Sequence, residues 1–161
     1  MSTATKTAEV ISHADLLAHW QGHRALTRRT IEAFPEKELF ELSIGGMRPF
    51  AKMVMELLAI GGPGLQEMAT GNTNELKEDF EGVTTKAQLL ELWDKSTDVI
   101  NTYWALIPAE RFQDKVKTFG QYEGTVCSSV FYFIDNEIHH RGEGFVYLRS
   151  LGIQPPFFWE R

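Results

Sequence analysis

The chain has 161 residues, 43% apolar and 24% charged, with a formal net charge of −6. A chain of this length hides roughly 70% of the surface its unfolded form exposes, enough for one hydrophobic core. The acidic balance disfavours direct binding to nucleic-acid phosphates, and the longest apolar stretches fall far short of the ~20 residues that cross a bilayer, so neither nucleic acid nor membrane is expected as a partner.

The first eleven residues, MSTATKTAEVI, are small, polar and aperiodic. They read as a flexible arm over 1–11 without the apolar core of a signal peptide, and a cytoplasmic protein is expected. The remainder, 12–161, reads as a single domain. Ser12 is placed to cap a first helix running to about Phe34, with Leu16, Leu17, Trp20, Ala25, Thr27, Ile31 and Phe34 near one face and Pro35 as its stop.

A second helix is expected from near Gly46 through MRPFAKMVMELLAI, ended or kinked by Gly61-Gly62-Pro63-Gly64. The acidic, turn-rich stretch to about Val83 then leads to a third helix capped by Thr84 or Thr85. Its stripe is Leu89, Leu90, Trp93, Val99, Ile100, Trp104 and Leu106, before Pro108. Residues 108–124 read as irregular, and a fourth helix is expected from about Thr125 to Leu151, ending at Gly152. With no strand pattern, the expected class is all-α, a four-helix bundle. The two later connections are long enough for a crossover, so loop length leaves the topology open.

Polar residues on apolar faces mark the candidate chemistry. On the fourth helix the stripe Val126, Val130, Phe133, His140, Gly144, Leu148, Leu151 places one histidine in the seam, with Asn136 and Glu137 one turn earlier on nearly the same side. His139 and Arg141 are each turned by about 100° and take other directions. Glu56 is the only charged residue between Met53 and Ile60. A carboxylate there needs a metal ion, a cation such as Arg24, or protonation. Cys127, the sole cysteine, excludes an intrachain disulfide and reads as packing before nucleophile.

Three segments, HWQGHRALTRRTIEAFP, GGMRPFAKMVMELLAI and above all NEIHHRGEGFVYLRSLGIQPPFFW, resemble the DinB/YfiT-like superfamily of damage-inducible, four-helix metalloenzymes, over about His13 to Trp159. The resemblance implies a divalent metal held by one residue of the second helix and an i, i+4 pair on the last. Carried over by position, these are Glu56, Asn136 and His140, where the family usually has three histidines. That harder donor set suits Ni, Mn, Fe or a weakly held Zn. A second departure is Glu143, where the family usually has glutamine.

The resemblance further implies a small-molecule substrate, a low-molecular-weight thiol, S-transfer or another metal-dependent reaction, and a homodimer. Arg24 or Arg141 would bind an acidic part of the thiol. The alternative is a non-catalytic, stress-associated bundle whose metal site has become a polar network of Glu56, Arg24 and His140. The apolar tail Pro155-Pro156-Phe157-Phe158-Trp159 is expected to cover the bundle or a second subunit.

Overall fold

The computed structural model describes residues 10–161, so the arm expected over 1–11 lies outside the described residues except for Val10 and Ile11, both exposed. In chain order the elements are α1 (His13–Ala33), the short α2 (Glu36–Glu41), α3 (Phe50–Thr70), α4 (Lys86–Trp104), a 3₁₀ turn (Ala109–Gln113), strands β1 (Lys115–Thr118) and β2 (Tyr122–Thr125), and α5 (Val126–Ser150). The four long helices build the bundle; α2 and the hairpin are additions.

The helix starts follow from side chains that accept orphan backbone N–H groups. The Ser12 hydroxyl accepts from the Asp15 N–H, and Thr85 forms a reciprocal capping box with Gln88, which fixes the α4 start at the second of the two candidate threonines. Thr125 does the same with Ser128, and α5 ends where Gly152 turns left-handed at φ 74°.

Two apolar clusters occupy the two ends of the bundle. One gathers Leu16, Trp20, Leu65, Ile100, Trp104 and Phe133; the other gathers Ile31, Phe34, Phe50, Trp93, Tyr147 and Leu148. The order in which each helix visits them gives its direction. α1 and α5 run one way and α3 and α4 the other, so residues 71–85 must travel the length of a helix of about 28 Å to join α3 to α4. The crossover therefore lies at the first of the two long connections.

Two expectations about the elements are corrected. The segment Gly61-Gly62-Pro63-Gly64 neither ends nor interrupts α3, which continues to Thr70. Pro63 forfeits one helical hydrogen bond, but the glycines leave room for neighbours: a Cβ on Gly61 would stand 3.3 Å from Trp20, and one on Gly64 2.5 Å from Phe133. Close approach by α1 and α5 offsets the helix-breaking propensity. Residues 115–125 form an antiparallel hairpin rather than irregular chain, with Lys115 opposite Thr125 and Thr118 opposite Tyr122. Its four-residue strands carry too few apolar side chains to alternate visibly.

On α1, Ala25 faces solvent and Leu26 is buried in its place, and beyond α4 Leu106 is exposed while Ile107 is buried.

The hairpin turn is tied to α3 by one carboxylate. Glu67, buried on α3, accepts the Phe119 N–H at 3.0 and 3.1 Å and the Asn74 N–H at 3.0 Å. Phe119 sits at φ 55°, a conformation costly for a side chain with Cβ, while its ring is buried. The charge-assisted bonds to its N–H help to fix that turn.

The aromatic tail does not fold away: Phe157, Phe158 and Trp159 remain exposed, with Phe157 stacked on Trp159. No helix among the described residues is long and apolar enough to cross a membrane.

The two glycines of the RGEG run make a discriminating pair. A Cβ on Gly144 would stand 2.5 Å from the ring of Phe50, itself fully buried and stacked on Phe34, whereas a Cβ on Gly142 meets nothing within 4 Å. In urea titrations, Gly144→Ala should destabilise the protein by ~1–3 kcal/mol. Gly142→Ala should stabilise it by ~0.5–1 kcal/mol, because the helix-propensity gain is then unopposed.

Candidate metal centre

The three residues carried over as ligands converge. Glu56 projects from α3 toward α5, where its Oε1 lies 3.1 Å from the Asn136 amide nitrogen and 3.1 Å from His140 Nε2. Of these, the Glu56 oxygen and the His140 nitrogen are metal-donor atoms, and at 3.1 Å they are near enough either to share one ion or to hydrogen-bond directly. Asn136 would turn its amide oxygen inward to join such an ion.

Both flanks of this trio are fixed. His140 Nδ1 lies 2.7 Å from Glu143 Oε2, one turn further along α5. The ring nitrogen facing Glu56 thus has its orientation set by a carboxylate on the opposite nitrogen, an arrangement common to metal-binding histidines. The second departure from the family pattern, Glu143, therefore has a definite partner. On the other side Arg48, just before α3, ion-pairs with Glu56 through Oε2 and leaves Oε1 to the trio. Burial raises the Glu56 carboxyl, but the hydrogen bonds from Arg48, Asn136 and His140 outweigh it and hold the group below the ordinary carboxylate value.

His140 also belongs to another set: His139, His140 and Glu143 offer ligand atoms that all lie within 4.8 Å of one another and could hold a metal ion. That set opens toward solvent, since the His139 side chain is exposed. Glu56 lines a cavity of about 320 Å³, walled by aromatic and acidic side chains from the crossover, the hairpin and the first turns of α5.

Arg24 and Arg141 have a different environment. Neither lines the cavity beside Glu56. Arg24 does not reach Glu56 or His140: its guanidinium stacks 4.0 Å over Trp93, donates to Thr97 at 2.8 Å and lies 3.9 Å from Glu137. Arg141 extends from α5 toward α1, donating to Thr27 at 3.0 Å and to His23 Nδ1 at 2.8 Å, with Glu137 3.8 Å away. It borders a separate cavity with His19, His23 and Arg161.

The centre of this second network is Glu137, only 2% exposed. It accepts from Thr27 at 2.7 Å and from the Trp20 indole at 3.3 Å. Burial pushes its carboxyl upward, against the pull of Arg24, Thr27, Arg141 and Trp20. A neutral Glu137 would leave two buried guanidiniums uncompensated, so the carboxylate is the form that completes the network. Its role was hidden in sequence because Asn136 and Glu137 are neighbours that point about 100° apart. The i, i+4 spacing of Glu137 and Arg141 was the available signal.

The sequence matches the DinB family model over residues 1–160. The chain belongs to the DinB family. Its fold is shared with a DinB-like protein from Bacillus cereus, at 13% identity and a TM-score of 0.75, covering 91% of this chain and 97% of the other. It is shared as well with a DinB-like protein from Bacillus subtilis, at 18% identity and a TM-score of 0.71, covering 91% and 99%. No protein with a curated description matches significantly.

In this DinB family protein the buried network makes stability depend on pH. Burial, followed by the charges of Arg141, His19 and Arg161, lowers His23 to about 3 from its ordinary 6.5. Unfolded chains therefore take up this proton first, and the stabilisation present above pH 6.5 is lost as pH falls toward 3. Urea midpoints of His23→Gln should fall less steeply than wild type across that window. Glu137→Gln, measured at pH 7, should cost ~3–5 kcal/mol by stranding the two arginines.

Proposed function

We propose that this DinB family protein is a metal-dependent enzyme acting on a small molecule, with Glu56, Asn136 and His140 as ligands of a divalent transition metal. The observation that carries this reading is His140 itself. One ring nitrogen is anchored on Glu143 and the other faces Glu56 Oε1 at 3.1 Å, beside a cavity that Glu56 lines.

When bound, a divalent metal supplies Lewis acidity, which lowers the pKa of a ligated thiol or water. The chain's own residues do the rest. Arg48 orients the Glu56 carboxylate, Glu143 orients the imidazole, and the bundle core behind them shields one side from water. A low-molecular-weight thiol as co-substrate and S-transfer as the reaction are the finer parts of the proposal, and they rest on the family resemblance. The exposed aromatic tail is consistent with a homodimer, which we include in the proposal.

A second reading has its own observation: both nitrogens of His140 face carboxylates, and Arg48 already compensates Glu56. In that case the trio is a metal-free polar lock in a non-catalytic bundle. Elemental analysis of protein purified without a metal-affinity tag separates the two. The enzyme reading predicts about one transition-metal ion per chain, lost in His140→Ala and Glu56→Ala. Glu143→Gln should retain the ion with an affinity reduced ~10–100-fold. Absence of metal after supplementation with Ni, Zn, Mn and Fe would establish the polar lock. Metal retained by Glu56→Ala and lost from His139→Ala would move the site to the exposed set. Thiol-transfer assays on loaded protein then test the reaction.

A further inference from the structure

The cavity beside Glu56 has a chemical character of its own. Its walls carry three carboxylates, Glu56, Glu78 and Glu123, and the rings of Phe119, Tyr122 and Tyr132; among the described residues that line it, none is lysine or arginine. Two cations stand behind the acids. Arg48 pairs with Glu56, and Lys117 lies 3.9 Å from Glu123, an exposed contact that solvent screens. The volume, about 320 Å³, lies at the lower end of the range of small-molecule sites.

From this we propose that the cavity binds an organic cation: a small molecule with an ammonium group and an apolar body, held by ring faces and by the carboxylates of Glu78 and Glu123. Aromatic faces attract cations through their quadrupoles, and the exposed carboxylates of Glu78 and Glu123 add a solvent-screened attraction at the rim. Away from Glu56, which is committed to Arg48 and the proposed metal, an anionic ligand would meet the carboxylates of Glu78 and Glu123 and no lysine or arginine in the lining. The inference names the substrate class of the proposed metal site and rests on that reading for where chemistry would occur. Arg24 and Arg141, expected to hold an acidic group of the thiol, do not border this space.

Two further features fit. The Tyr132 hydroxyl is raised from its ordinary pKa first by burial and then by the charges of Glu56, Tyr122 and Glu78. The cavity floor is also a fixed structure, because Glu67 holds the backbone of Phe119 on one side and of Asn74, two residues before the cavity-lining Leu76, on the other. A preformed wall lowers the ordering cost of binding.

The test uses benzyltrimethylammonium as the cation and benzenesulfonate as an anion of similar size, titrated into the full-length protein and followed by amide NMR shifts and calorimetry. The metal content of every sample is measured in parallel. Expected are saturable shifts centred on Phe119, Tyr122 and Tyr132 with the cation, and at least tenfold weaker binding of the sulfonate. Glu78→Gln/Glu123→Gln should weaken the cation about tenfold, and Tyr132→Leu should weaken it further, with metal content unchanged in both variants. Both acids are on the surface, so the double variant should keep the wild-type unfolding curve.

Equal binding of sulfonate overturns the inference, as does no saturable cation binding to ~10 mM, or cation binding indifferent to the double variant. Failure of the metal reading is distinct: it shows as metal-free samples that still bind the cation at this wall. Metal-loaded protein that ignores the cation leaves the metal reading standing and removes this one.

Discussion

The rotation of α5 about its own axis is set by Glu137. A buried carboxylate is tolerated only with near-complete compensation, and the donors that supply it come from fixed places: Trp20, Arg24 and Thr27 on α1, and Arg141 on α5 itself. Arg24 also reaches Thr97 and the Trp93 carbonyl on α4, which ties a third helix to the same charge. With residues 137 and 141 committed to α1, residues 136, 140 and 143 are turned toward α3. The candidate metal centre is thus aimed by a network that it does not touch.

The two polar assemblies occupy the same level of the bundle. The apolar clusters lie toward either end, one built on Trp20, Trp104 and Phe133 and the other on Phe34, Phe50 and Tyr147. Between them α5 separates an interior, arginine-rich network from a more open trio on the α3 side. The interior network keeps His23 neutral, while the outer trio holds Glu56 ionised with an oxygen still facing donors. One helix therefore supports two polar environments at one level, about 100° apart around its axis.

Much of this was legible in the residues. Caps and prolines marked the ends of α1, α4 and α5, since one local hydrogen bond or one missing N–H decides each. The seam through Val130, Phe133, His140 and Gly144 identified the inward side of α5, and the family positions brought Glu56, Asn136 and His140 together. Several of the errors depended on a distant partner. Gly61 to Gly64 read as a break because the aromatic rings that fill their space come from α1 and α5. The hairpin was invisible because its short strands carry too few apolar side chains to alternate, and its turn is bonded by Glu67 from another element. Arg24 was matched to the wrong carboxylate, and Arg48, the cation that Glu56 does find, lies outside any helical register with it.

Glu67 joins parts of the chain that are otherwise independent. The crossover at Asn74 and the hairpin turn at Phe119 are far apart in sequence, yet both backbones hang from one carboxylate on a helix carrying a proline four residues earlier. They share one acceptor, so loss of the Glu67 carboxylate would release both backbones at once. The wall that Phe119 and Leu76 contribute to the cavity therefore depends on a side chain of α3 that does not itself line it.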